Sequence, residues 1–179
     1  MKTVGLKQTI ALIILGTVFL AAPVQAGHLT DFTVNGSGTM ETNCLVTLNP
    51  GCSVRASGPA ESAQLNVDSF AVQLFTGSPA SLNGYPAGVP VGGTEQGICL
   101  PASFLGWLRS AAGDIIQFAH VGTVCEEAAP GSAFGYHGTF RITGGTGVFS
   151  TASGGGDIAG TFTRDGTAVF VHLHGTIQY

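Results

Sequence analysis

From Phe134 onward the chain alternates between apolar and polar residues. In FGYHGTFRITG, Phe134, Tyr136, Phe140 and Ile142 fall on one face, and His137, Thr139, Arg141 and Thr143 on the other. A period of two places successive side chains on opposite sides of a β-strand. AQLNVDSFAVQLF alternates as well, but its apolar phase moves from Leu65 and Val67 to Phe70, Val72 and Leu74, which predicts a bulge near Asp68 and Ser69. Phe32 and Val34, and then Cys44, Val46 and Leu48, mark shorter strands. Residues 27–179 contain no stretch with convincing helical periodicity. Many strands punctuated by Gly, Thr and Ser imply an antiparallel sandwich or barrel.

The last hairpin is the best specified. DIAGTFTRDGTAVFVHLHGTIQY sets Asp165-Gly166 between two alternating runs, the signal for a two-residue hairpin turn. Partners equidistant from that dipeptide then face one another. Phe162 with Val169, Gly160 with Val171 and Ile158 with Leu173 make an apolar face that must turn inward. Thr161 with Phe170, Ala159 with His172 and Asp157 with His174 make the other face.

Glycines interrupt the pattern in GTFRITGGTGVFSTASGGG, Gly138 to Gly156. A phosphate-binding Walker loop requires a lysine, and the chain has none after Lys7; a dinucleotide loop requires a third glycine where Ser150 stands, and then a helix. The run Gly144-Gly145-Thr146-Gly147 therefore reads as a tight reversal after a strand that ends at Thr143.

Four cysteines remain to be placed. The segment from Cys99 to Cys125 is centred on residue 112, within the turn-like Ala111-Ala112-Gly113, and Gly113 suits the positive-φ position of a three-residue loop. In that register Cys99 faces Cys125. Cys44 and Cys52 then bracket LVTLNPG, where Asn49-Pro50-Gly51 can turn the chain back. Two disulfides are expected, Cys99–Cys125 and Cys44–Cys52, because the chain reads as exported.

Export follows from the first residues. Lys2 and Lys7 form a basic region, Ile10 to Ala22 an apolar run, and Val24-Gln25-Ala26 a cleavage site before Gly27. The apolar run is short of the roughly 20 residues that span a bilayer. Residues 1–26 are thus expected to be a cleaved signal peptide, with secretion or a periplasmic location. Residues 27–179 form one barrel domain, with a Gly/Pro-rich loop at about 76–97. After cleavage four cations (Arg55, Arg109, Arg141, Arg164) stand against ten acids, a balance that excludes binding to a phosphate backbone.

FRITGGTGVFSTASGGGDIAGTF, Phe140 to Phe162, resembles a segment of bacterial exported proteins related to the allene oxide cyclase and dirigent barrel superfamily. The resemblance implies an all-β fold, an antiparallel eight-stranded closed barrel with an apolar interior. It carries no active residue onto this chain, and no catalytic residue or cofactor is assigned.

The remaining chemistry is sparse. Glu126 and Glu127 are adjacent, so on a strand they point apart rather than forming an acid/base pair. The lone Trp107 reads as core or rim packing. Asp157, His172 and His174 share a face with metal-ligand spacing, but on a solvated strand they read as a weak polar cluster, with Asp157 and His174 an exposed pair and no metal bound. Three functions fit: an exported barrel that binds an apolar small molecule or serves as a structural or surface module; a cyclase- or dirigent-type barrel enzyme; and a small outer-membrane barrel, suggested by the terminal Tyr179 on an alternating last strand. The first is preferred, without stable membrane insertion.

Overall fold

The computed structural model describes residues 28–42, 51–77, 99–126, 133–163 and 165–179. The expected signal peptide, the Cys44–Leu48 segment and the Gly/Pro-rich segment from residue 78 lie outside them. Eight strands follow in chain order: β1 (Thr30–Thr42), β2 (Ser53–Glu61), β3 (Val67–Thr76), β4 (Cys99–Ser110), β5 (Ile115–Glu126), β6 (Ala133–Gly145), β7 (Ser153–Thr163) and β8 (Val169–Gln178). Each pairs antiparallel with the next, and β8 pairs back onto β1, so the sheet is a closed barrel of eight strands. Closure leaves no unpaired edge.

The β4–β5 hairpin has the register expected from its centre at residue 112, from Cys99 opposite Cys125 to Arg109 opposite Ile115. Gly113 sits at φ 93°. Its N–H donates to the Ser110 carbonyl, and the Ser110 N–H donates to that of Asp114. A side chain would be strained there, which is why glycine ends the turn. Among the described residues no cysteine is free, Cys52 and Cys125 being disulfide-bonded; Cys44 lies outside those residues.

The last hairpin also keeps its register, Phe162 opposite Val169 and Asp157 opposite His174. Its turn differs from the two-residue form. The Asp-Gly form, type I′, requires positive φ at both central residues, yet only Gly166 of the dipeptide has it, at 73°. The Thr163 N–H donates to the Ala168 carbonyl and the Gly166 N–H to that of Thr163. Asp165 Oδ1 accepts from the Thr167 N–H at 3.1 Å and its hydroxyl at 2.7 Å. The longer loop has the same midpoint as the dipeptide, so the pairing is unchanged.

The register of β3 against β4 shifts between Val67 and Ser69, the bulge that the change of phase implied. A second shift, where Gln117 and Phe118 meet Gly144 and Ile142, sets Thr143 in excess on β6; that strand runs on to Gly145 rather than stopping at Thr143. Strand β2 had no counterpart in the hydrophobic pattern. Its inward positions are Val54, Ala56, Gly58 and Ala60, too small to read as a buried stripe, and Pro59 argues against a strand. The structure accommodates Pro59 opposite Ser69, beside the β3 bulge.

The core is the lumen. Phe70, Leu108, Ile116, Phe118, Phe134 and Leu173 are among its fully buried side chains. The faces expected to turn inward do so: Phe134, Tyr136, Phe140 and Ile142 on β6, and Phe162, Val169, Val171 and Leu173 on the last hairpin, are all buried. Of the glycine run expected to reverse the chain, Gly144 and Gly145 end β6 as paired strand, and the reversal begins at Thr146 and Gly147 at one end of the barrel. It leads into a single 3-10 turn, Gly147–Phe149, tied to the β4–β5 hairpin by the Thr146 N–H on the Ile115 carbonyl and by the Ile115 N–H on Thr146 Oγ1 at 2.9 Å. Phe149, 3% exposed, packs on Tyr179 with ring centroids 4.9 Å apart and covers that end of the core.

Candidate functional site

Three places hold chemistry: a polar pair inside the barrel, a histidine strip on its outer wall, and a groove on the same wall.

Inside, His120 on β5 continues the inward phase of Ile116 and Phe118, and it is 0% exposed. Its Nδ1 lies 2.8 Å from the Tyr136 hydroxyl of β6. The tautomer decides whether the phenol donates or accepts. Tyr136 reaches it because Gly122 and Gly138, facing each other across β5 and β6, leave the wall bare where the phenol lies. The rings of Phe32, Phe140, Phe118, His120 and Tyr136 form a continuous chain, with centroids 5.3 to 6.0 Å apart. Burial holds the imidazole well below its ordinary value and pushes the phenol up, so both are neutral at pH 7. Sequence reasoning missed this pair. The signal was His120 in phase with Ile116, Phe118 and Val124.

The pair makes stability depend on pH. An unfolded His120 takes a proton near its ordinary pKa of about 6.5, whereas the folded one resists it. Stability is therefore complete above about pH 6.5 and falls below it, by up to about 1.4 kcal/mol per pH unit until the folded imidazole protonates. Urea unfolding at pH 7.5 and 5.5 should show the loss, and His120→Gln, which cannot titrate, should flatten that part of the profile.

On the outer wall Asp157 faces His174 across β7 and β8, with His172 two residues along. The two histidines turn to β1: His172 Nδ1 lies 2.8 Å from Asn35 Oδ1, and His174 Nδ1 lies 3.3 Å from Thr33 Oγ1. Both histidines and Asp157 are exposed. No group of three or more His, Cys, Asp or Glu among the described residues could hold a metal ion.

Trp107 is not core. It is 41% exposed on the outward phase of β4, beside Leu105 at 60%. Both border a groove of about 690 Å³ on the wall of β1 to β6, with Glu41, Arg55, Gln73 and Gln117 among its other outward residues and the buried Met40, Ala56, Val72 and Phe118 also bordering it. The register builds it from neighbouring rows. Trp107 lies between Ala71 of β3 and Gln117 of β5, and Gln73 lies between Arg55 and Leu105. Glu41 faces Arg55 from β1.

By contrast, a void found inside the barrel, bordered by Leu74, Tyr136, Phe162, Val169 and Val171 among others, measures about 30 Å³. No protein-family model, curated protein or solved structure matches the chain.

Proposed function

We propose that this is an exported β-barrel module that acts through its outer wall, with the lumen serving as packed core. One observation carries the reading: the interior void bordered by described residues measures about 30 Å³, whereas ligand pockets measure roughly 300–1,000 Å³. Among the described residues the lumen has the apolar chemistry expected for an apolar small molecule, but the void bordered by them is too small for one. The outer wall supports a water-facing protein: Asp31, Glu41, Arg55, Arg109, Asp157 and His174 are exposed on it, where an outer-membrane barrel carries an apolar band. The resemblance of Phe140–Phe162 to the allene oxide cyclase and dirigent group belongs to the same proposal, as do signal cleavage before Gly27 and the pairings Cys99–Cys125 and Cys44–Cys52.

A cyclase- or dirigent-type enzyme has one observation in its favour, the buried His120–Tyr136 pair. Tyr136 borders the void but His120 does not, and both are buried, His120 completely.

A neutral apolar fluorophore, N-phenyl-1-naphthylamine, titrated into the purified protein separates these readings. No saturable rise in emission is expected. Stoichiometric uptake, weakened by Val171→Trp in the lumen and unaffected by Trp107→Ala outside it, would replace the surface module with an apolar-ligand carrier or enzyme. Non-reducing peptide mapping of the same sample should join Cys99 to Cys125; Cys99 joined to Cys44 or Cys52 would refute the hairpin pairing.

A further inference from the structure

We propose that the outer-wall groove binds a neutral oligosaccharide, with Trp107 as its stacking platform. The inference rests on the surface-module reading and gives it a ligand class. A pyranose ring has one face of C–H groups and a rim of hydroxyls, so a site for it combines an exposed aromatic plane with polar groups beside that plane. Trp107 supplies a large ring that is apolar in body and polar at its N–H. It is 41% exposed, and its neighbour on β3 is Ala71, whose small side chain leaves that flank of the ring open. The opposite flank has Gln117. Gln73 and Arg55 lie in the adjacent row, beside Leu105, on β3 and β2. Each amide offers two donors and an acceptor, and the guanidinium a fork of donors, the complement of paired hydroxyls on a sugar ring.

Charge selects among ligands. The groove borders include one cation, Arg55, and one carboxylate, Glu41, in directly facing positions. That balance favours a neutral ligand over a nucleic acid or an anionic membrane, both of which need clustered cations. Size agrees: about 690 Å³ is within the range of ligand sites, and an open groove along a row of strands accommodates a chain of rings. A wholly apolar ligand would leave Gln73, Gln117 and Arg55 desolvated without partners.

Trp107 is the chain's single tryptophan, so its emission reports on this groove alone. The probes are three neutral hexasaccharides: a β-1,4-glucan, an α-1,4-glucan and a β-1,4-linked N-acetylglucosamine oligomer. At least one is expected to change the emission saturably, with Kd between about 1 μM and 1 mM. By calorimetry, Trp107→Ala should weaken that binding at least about tenfold and Gln73→Ala about threefold to tenfold, with Trp107→Phe intermediate. The melting temperatures should be close to that of the parent, since these side chains lie outside the core. Three results overturn the proposal: no response to any of the sugars at about 10 mM, undiminished binding by Trp107→Ala, or an emission change that follows protein concentration without sugar, which makes this face a contact between copies. Failure of the sugars leaves the fluorophore result intact, so the two readings fall separately.

Discussion

Gly138→Ala is expected to cost about 3–5 kcal/mol of a total stability that for such domains is about 5–15 kcal/mol. A single methyl group has so large an effect because of where it would lie. A Cβ on Gly138 meets the Val121 carbonyl oxygen, the Tyr136 hydroxyl and the Cα of Gly122 on the facing strand. Two of those are backbone and cannot rotate away. The third is the phenol hydrogen-bonded to His120 Nδ1, so relief of the clash by moving Tyr136 breaks a hydrogen bond inside the core. An unsatisfied buried group adds about 1–3 kcal/mol to the overpacking itself. Guanidinium unfolding measures the loss, and the near-UV dichroism of the folded fraction should change with the Tyr136 environment. A loss below about 1 kcal/mol would mean that the wall gives way at this point.

Phe140→Ala should cost about 3–5 kcal/mol, the range for deleting a buried phenylalanine ring. Phe140 is 4% exposed and joins Phe32, at 6.0 Å and 60°, to Phe118, at 5.8 Å and 68°. Its facing residue on β7 is Gly156, which has no side chain to move into the space. The void left behind therefore collapses little, and a site that cannot collapse pays close to the full cavity term. Phe140→Leu should cost less, about 1–2 kcal/mol. Phe170→Ala provides the contrast: Phe170 is 58% exposed on the outer face of β8, so its loss should change stability by no more than about 0.5 kcal/mol. Urea midpoints with unchanged slopes would establish all three. Equal losses from Phe140→Ala and Phe170→Ala would contradict the assignment of the inner face.

Much of this barrel was legible locally. The β4–β5 and β7–β8 registers follow from the midpoints of their turns, because a hairpin's pairing depends on where its centre lies and not on the turn type that closes it; the β7–β8 loop is longer than expected and the pairing is the same. The inward faces of β6 and β8 follow from alternation, and the Val67–Ser69 bulge from a slip in that alternation. Strand β2 escaped because Ala56, Gly58 and Ala60 bury little area, so the small residues that let the wall curve tightly also erase its hydrophobic signal. His120 escaped although its phase was plain, since a polar residue in an apolar stripe is identifiable only by the partner that satisfies it. Tyr136 is 16 residues away on another strand. Trp107 reads as core or rim packing because a large aromatic suggests burial, but on β4 the inward phase belongs to Gly106 and Leu108, so it is not core. What the chain alone determined is therefore the period of its strongly alternating strands and the pairing across its two best-centred hairpins, set by interactions across a few residues. The closure of β8 onto β1, the space left among the described lumen residues and the groove shared by six strands were decided only by the tertiary structure, because each depends on how strands distant in sequence curve and pack together.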